Sequence, residues 1–201
     1  YDDYWKRISV EDSHEGIGTP AFNFGGWYDI FLGGTLRNFT RMRELGATEE
    51  ARRGQRLVVG PWAHTGMALT VAGEYGFGTR AGPLGLDLQG AMLKYYDHWL
   101  KGKDNGVGEE KPVTIFVMGE NVWRSEDEWP LSRANNVRYY LHSRGKANTL
   151  NGDGWLGPET PGLEPTDVYV YNPIDPVPTR GGGLCCDPAF TISGAFDQRP
   201  V

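Results

Sequence analysis

The sequence predicts an α/β fold running into an all-β one, and three observations carry that prediction. Apolar strand-like runs alternate with helix-like patterns as far as residue 105, and short strands divided by turn clusters follow. Gly (29) and Pro (13) are plentiful, beside Trp (7), Tyr (10) and Phe (8). Alternating strand and helix is the pattern of a layered, mostly parallel sheet. Short strands spaced by turns, without helices, suit an antiparallel sandwich. A chain of 201 residues can form one large domain or two small ones and bury a core.

The elements follow in order. "TPAFNFGG" is a short apolar run after a proline, hence a strand. "IFLGGTLRNFTRMREL" reads as a helix, with Phe31, Leu36, Phe39, Met42 and Leu45 at three-to-four spacing and Gly46 as its stop. "QRLVVGPW" is a second strand, β-branched at its centre. "LDLQGAMLKYYDHWLKG" is a second helix, with Leu88, Met92, Tyr95 and Trp99 on one face and Gly102 at its end. Polar, glycine-rich "LKGKDNGVGEEKP" reads as a linker. These features divide the chain into domains 1–105 and 106–201. In the second, "KPVTIFVMGE", "VRYYLHS" and "DVYVYNP" are short strands.

Composition narrows the function classes. The net charge is -6 and no Lys/Arg run exists to grip a phosphate backbone, so no nucleic-acid partner is expected. No apolar run approaches the roughly 20 residues of a membrane helix, so no membrane partner is expected either. The opening "YDDYWKRISV" has no Met and no signal peptide; it reads as an interior start, which leaves the compartment open. The two cysteines, Cys185 and Cys186, are adjacent, and adjacent cysteines rarely bridge because the geometry is strained. They also lack zinc-site spacing, so no metal is expected.

Two residues stand out for chemistry. Asp29 follows the first strand in "FNFGGWYDIF", and His64 follows the second in "LVVGPWAHTG". Ligands bind at the carboxyl ends of parallel strands, so both groups fall on the reactive edge of the sheet. Acid before base, with room for one helix between, matches the last two members of a Ser, Asp, His order. An imidazole can take a serine proton and return it to a leaving group, while a carboxylate fixes its tautomer. Each residue also has a plainer reading: Asp29 as a helix N-cap, His64 as a loop residue satisfied by backbone.

"GWYDIFLGGTLRNF" and "RLVVGPWAHTG" resemble the acid and histidine segments of one serine-hydrolase family. It includes cocaine esterase, α-amino acid ester hydrolases, glutaryl 7-aminocephalosporanic acid acylases and Xaa-Pro dipeptidyl-peptidases. The likeness continues through "VTIFVMGENVWRSEDEWPL", "RYYLHSRGKANTL", "YVYNPIDPVPTRGG" and "GAFDQRPV". The resemblance implies the C-terminal half of an α/β-hydrolase domain followed by the start of a jelly-roll β-sandwich. It implies Asp29 as triad acid, His64 as triad base, and an acyl-serine intermediate on a small-molecule ester or amide substrate. It implies Phe31 in the acyl pocket and Cys185 and Cys186 near the site mouth; Tyr28 flanks the acid. No metal or cofactor is called for. No G-x-S-x-G elbow is present, so the serine is expected from the remainder of the same polypeptide, upstream, and the piece alone is expected to be inactive. A homo-oligomer is compatible with this reading. Two alternatives stay open: an Xaa-Pro exopeptidase, and a non-catalytic module binding a carbohydrate or a partner.

The remaining motifs are weaker. His14, His98 and His142 have no evident partners in the sequence. "GEYGFGTRAG" lacks the P-loop Lys/Ser/Thr and reads as a loop. "NGDG" is a turn, and the "NFT" sequon at Asn38 falls inside a helix.

Overall fold

The computed structural model describes residues 1–185 and 192–201. Two compact units emerge: residues 1–131 with 180–197, and residues 132–179 with 198–201.

The first unit is built on a four-stranded sheet. Its strands are β1 (Phe22–Tyr28), β2 (Arg56–Ala63), β5 (Val113–Val117) and β6 (Val122–Glu126), in the order β1-β2-β5-β6. β1, β2 and β5 run parallel, and β6 closes the row antiparallel to β5. Helices α2 (Leu32–Leu45) and α3 (Glu49–Arg53) carry the chain from β1 to β2. A small hairpin, β3 (Val71–Ala72) and β4 (Tyr75–Gly76), then leads to α4 (Leu88–Lys101). Helix α1 (Asp3–Ile8) opens the unit and buries none of its residues.

Both faces of β2 are covered, which is why it reads as a continuous apolar run. Its alternate residues serve two cores. Leu57 and Val59 join Phe39, Val113 and Ile115 on one face. Val58 and Trp62 join Leu88 on the other. A third cluster, Ala72, Phe77, Ala81 and Phe116, binds the hairpin down. The "GEYGFGTRAG" loop therefore holds the hairpin's turn, β4 and a 3₁₀ turn, with Phe77 in the core.

The helix ends follow local chemistry. Asp87 caps α4 by accepting the Gly90 amide at 2.9 Å. Gly102 ends α4 in the left-handed conformation, which costs glycine nothing. Thr48 caps α3. Gly46 ends α2 as expected, but Phe31 departs from expectation: it lies just before the helix and is 56% exposed.

Two other expectations need correction. "KPVTIFVMGE" supplies β5, which joins the first unit's sheet rather than a separate one. "DVYVYNP" forms no strand. β-branched runs state that they can pair, not with what.

The second unit contains one antiparallel ladder, β7 (Tyr140–His142) with β8 (Trp155–Gly157). It is pinned by acids. Asp153, in the "NGDG" turn, accepts the Arg144 and Lys146 amides at 3.1 and 3.2 Å. His142 has partners that the sequence did not reveal: Glu164 lies 2.6 Å from Nδ1, and the Trp155 ring stacks on it at 4.8 Å. A cleft of about 760 Å³ adjoins this ladder, lined in part by Leu141, Trp155 and Leu156.

Candidate active site

Asp29 and His64 come together because of a register feature. β1 and β2 pair Gly26 with Gly60, then Tyr28 with Ala63. Two steps along β1 match three along β2, so β2 carries one extra residue at Pro61–Trp62, a bulge. Side chains alternate with a period of two, and an extra residue reverses the parity beyond it. The next residue after each strand is then Asp29 on one and His64 on the other. Both leave the carboxyl ends of neighbouring parallel strands.

Glycines make the bulge possible. A Cβ on Gly60 would sit 2.3 Å from the Trp62 ring, which folds back over it. Trp62 itself is fully buried and donates its indole N–H to the Ala81 carbonyl at 3.0 Å.

The pair's geometry is direct. His64 Nδ1 lies 3.1 Å from Asp29 Oδ1. The Asp29 side chain is 4% exposed and the His64 side chain 38%. The carboxylate is thus out of water while the imidazole keeps an open side. With Oδ1 as acceptor, Nδ1 carries the hydrogen and Nε2 is free to accept. Nε2 has no partner among the described residues.

Asp29 is held by its own turn. Its amide donates to the Gly26 carbonyl at 3.0 Å, and its carbonyl accepts from Leu32 at 3.1 Å. Oδ1 also accepts the Phe31 amide at 2.9 Å, an Asx turn leading into α2. Part of the plainer reading therefore holds: Asp29 satisfies a donor before the helix, although Phe31 occupies the N-cap position.

The other expected residues scatter. Phe31 sets its ring against His64, with centroids 4.8 Å apart at 71°. Tyr28 turns away and packs near Phe77, at 6.2 Å. Burial, with Tyr75 beside it, raises its phenol above the ordinary value. Trp27 donates to the Phe116 carbonyl at 2.7 Å and packs on the sheet core. Cys185 lines a cavity of about 180 Å³ with Ala63, Thr65 and Gly66, the turn that carries His64. It is disulfide-bonded, which corrects the expectation of unbridged thiols drawn from ring strain. Cys186 lies outside the described residues.

The remaining histidines have structural partners. His14 is buried against the Glu11 carbonyl and Asn38 Oδ1, at 3.1 and 3.2 Å. Asn38, the sequon residue, is thus engaged. His98 meets the Lys103 carbonyl at 3.0 Å. Among the described residues no cluster of three or more His, Cys, Asp or Glu side chains could hold a metal ion. Likewise no described helix is long and apolar enough to cross a membrane.

Comparison with known proteins shows what these segments are similar to. Residues 1–66 match the family described as X-Pro dipeptidyl-peptidase (S15 family). Residues 105–190 match the X-Pro dipeptidyl-peptidase C-terminal non-catalytic domain. The chain is thus similar to this family over two separate segments. Among individual proteins it is 35% identical over 200 residues to cocaine esterase of Rhodococcus sp. (strain MB1 Bresler), covering 100% of this chain and 33% of that protein. A Mycobacterium bovis protein named "Putative serine esterase Mb1866c" is 31% identical over 177 residues, 84% of this chain and 23% of its own. The chain thus spans about a third or less of the length of these relatives. A crystal structure of an aminopeptidase from the marine sediment archaeon Thaumarchaeota archaeon superposes with a TM-score of 0.63 at 22% identity, over 89% of this chain and 27% of that one. That likeness is one of fold.

Proposed function

We propose that this chain supplies the acid and the base of a Ser-His-Asp acyl hydrolase, with Asp29 as acid and His64 as base. The nucleophilic serine comes from outside these 201 residues, since no G-x-S-x-G is among them. The 3.1 Å contact between Oδ1 and Nδ1 at in-register strand ends carries the reading.

The chemistry follows from the tautomer. Nε2 removes the serine hydroxyl proton as the oxygen attacks the acyl carbon. His64 becomes imidazolium, and the buried Asp29 carboxylate stabilises that charge. The imidazolium then gives its proton to the leaving alcohol or amine as the carbonyl re-forms. A water molecule repeats the cycle on the acyl-serine and releases the acid. Base assistance of this kind contributes about 10²–10⁴ in rate. The steps need no metal or cofactor.

Esters are the favoured substrates, because cocaine esterase and the mycobacterial relative carry esterase names. The S15 match supports a second reading, cleavage of Xaa-Pro dipeptides from a free amino terminus. The four-stranded sheet of residues 1–131 acts as part of an α/β-hydrolase domain that extends through β6, and the second unit, residues 132–179, lies within the match to the non-catalytic domain and acts as the start of a jelly roll.

The test uses the complete protein with a chromogenic ester and a Pro-containing dipeptide anilide. His64→Ala should abolish turnover of whichever is cleaved. Full activity in that variant would overturn the assignment.

A further inference from the structure

We infer that Phe31 is a positioning residue for the imidazole of His64, holding the ring plane during turnover. The inference rests on the assignment of His64 as the base.

Phe31 is an unusual residue for its position. It is 56% exposed, so it contributes little to the core, and it stands at a helix N-cap without a side chain able to cap. What it does contact is the base, with ring centroids 4.8 Å apart and planes at 71°.

The backbone fixes that ring from both sides. The Phe31 amide donates to Asp29 Oδ1 at 2.9 Å, the same oxygen that accepts from His64. The Phe31 carbonyl accepts the Thr35 amide at 3.1 Å and the Thr35 hydroxyl at 3.3 Å. Acid, base and aromatic ring therefore form one linked unit, with α2 as its footing.

A single hydrogen bond through Nδ1 leaves an imidazole free to rock about that bond. A ring packed against it at a steep angle removes this freedom, so Nε2 stays aimed where a serine oxygen must arrive.

The experiment is the split between kcat and KM in the complete protein, with acetyl and butyryl chromogenic esters. Phe31→Leu keeps an apolar side chain and removes the flat ring; Phe31→Tyr keeps both. In Phe31→Leu, kcat should fall about two- to fivefold for both esters with KM unchanged. Phe31→Tyr should retain the parent kcat. A Phe31→Leu variant with the parent kcat, or a loss confined to KM and dependent on acyl length, would overturn the inference and leave Phe31 as pocket lining. His64→Ala separates the two levels: an inactive variant keeps the base assignment standing whatever Phe31 does, and an active one removes both.

Discussion

Gly26 and Trp62 approach so closely that a Cβ on Gly26 would sit 2.0 Å from the Trp62 carbonyl oxygen. The contact lies where β1 and β2 change register, three residues before the acid and two before the base. Gly26→Ala must push the strands apart, since the obstacle is backbone rather than a flexible side chain. Overpacking of this kind costs about 1–3 kcal/mol. A lower unfolding midpoint together with at least a tenfold loss of kcat/KM is expected. An alanine variant with the parent stability would show that the strands accommodate it.

Asp29→Asn separates the two duties of the acid. An asparagine oxygen can still accept the Phe31 amide, so the turn and the melting temperature should survive. The negative charge and the fixed tautomer are lost, and kcat should fall by about 10⁴, as in other triads. Retained activity with a lowered melting temperature would leave Asp29 as a turn residue alone.

Phe39 is fully buried between α2 and the sheet from which Asp29 and His64 emerge. Phe39→Ala removes a large side chain and leaves a cavity, at a cost of about 3–5 kcal/mol. The denaturant midpoint of the complete protein reads this directly. A loss under 1 kcal/mol would mean that α2 collapses onto the sheet and refills the space.

The second unit should respond to acid through Glu164. Its carboxyl is held below the ordinary value by the His142 hydrogen bond, then by the Ser143 amide. A carboxylate depressed in the folded state adds stability above its unfolded value, here 4.5, and loses it as pH falls through the folded value. The protection factor of the Ser143 amide should therefore be steady near neutrality and drop below about pH 4. Glu164→Gln should lower protection near neutrality and flatten the pH dependence. An unchanged profile in that variant would remove Glu164 from the account.

Much of the first unit was legible in the sequence, because its signals are periodic and local. The α2 and α4 stripes, the apolar β2 and the capping glycines all follow from residue spacing. Asp29 and His64 were legible for the same reason, as polar groups just beyond apolar strands. The bulge at Pro61–Trp62 was not, since nothing in "VVGPWAH" states which residue goes unpaired. The partners of His14 and His142 were hidden by distance: Asn38 lies 24 residues from His14, and Glu164 lies 22 from His142. Phe31 fitted the helical spacing by number, yet it precedes the helix. Its placement came from the Asx turn at Asp29, which spacing does not encode.

Asp29 and His64 hang from a single β–α–β crossover, 35 residues apart. Their separation is decided inside that crossover, by one bulge and a few glycines. Loops elsewhere in the protein can therefore lengthen, shorten or change composition without altering it. The crossover acts as a fixed datum, and sequence change beyond it leaves the distance between the two side chains untouched.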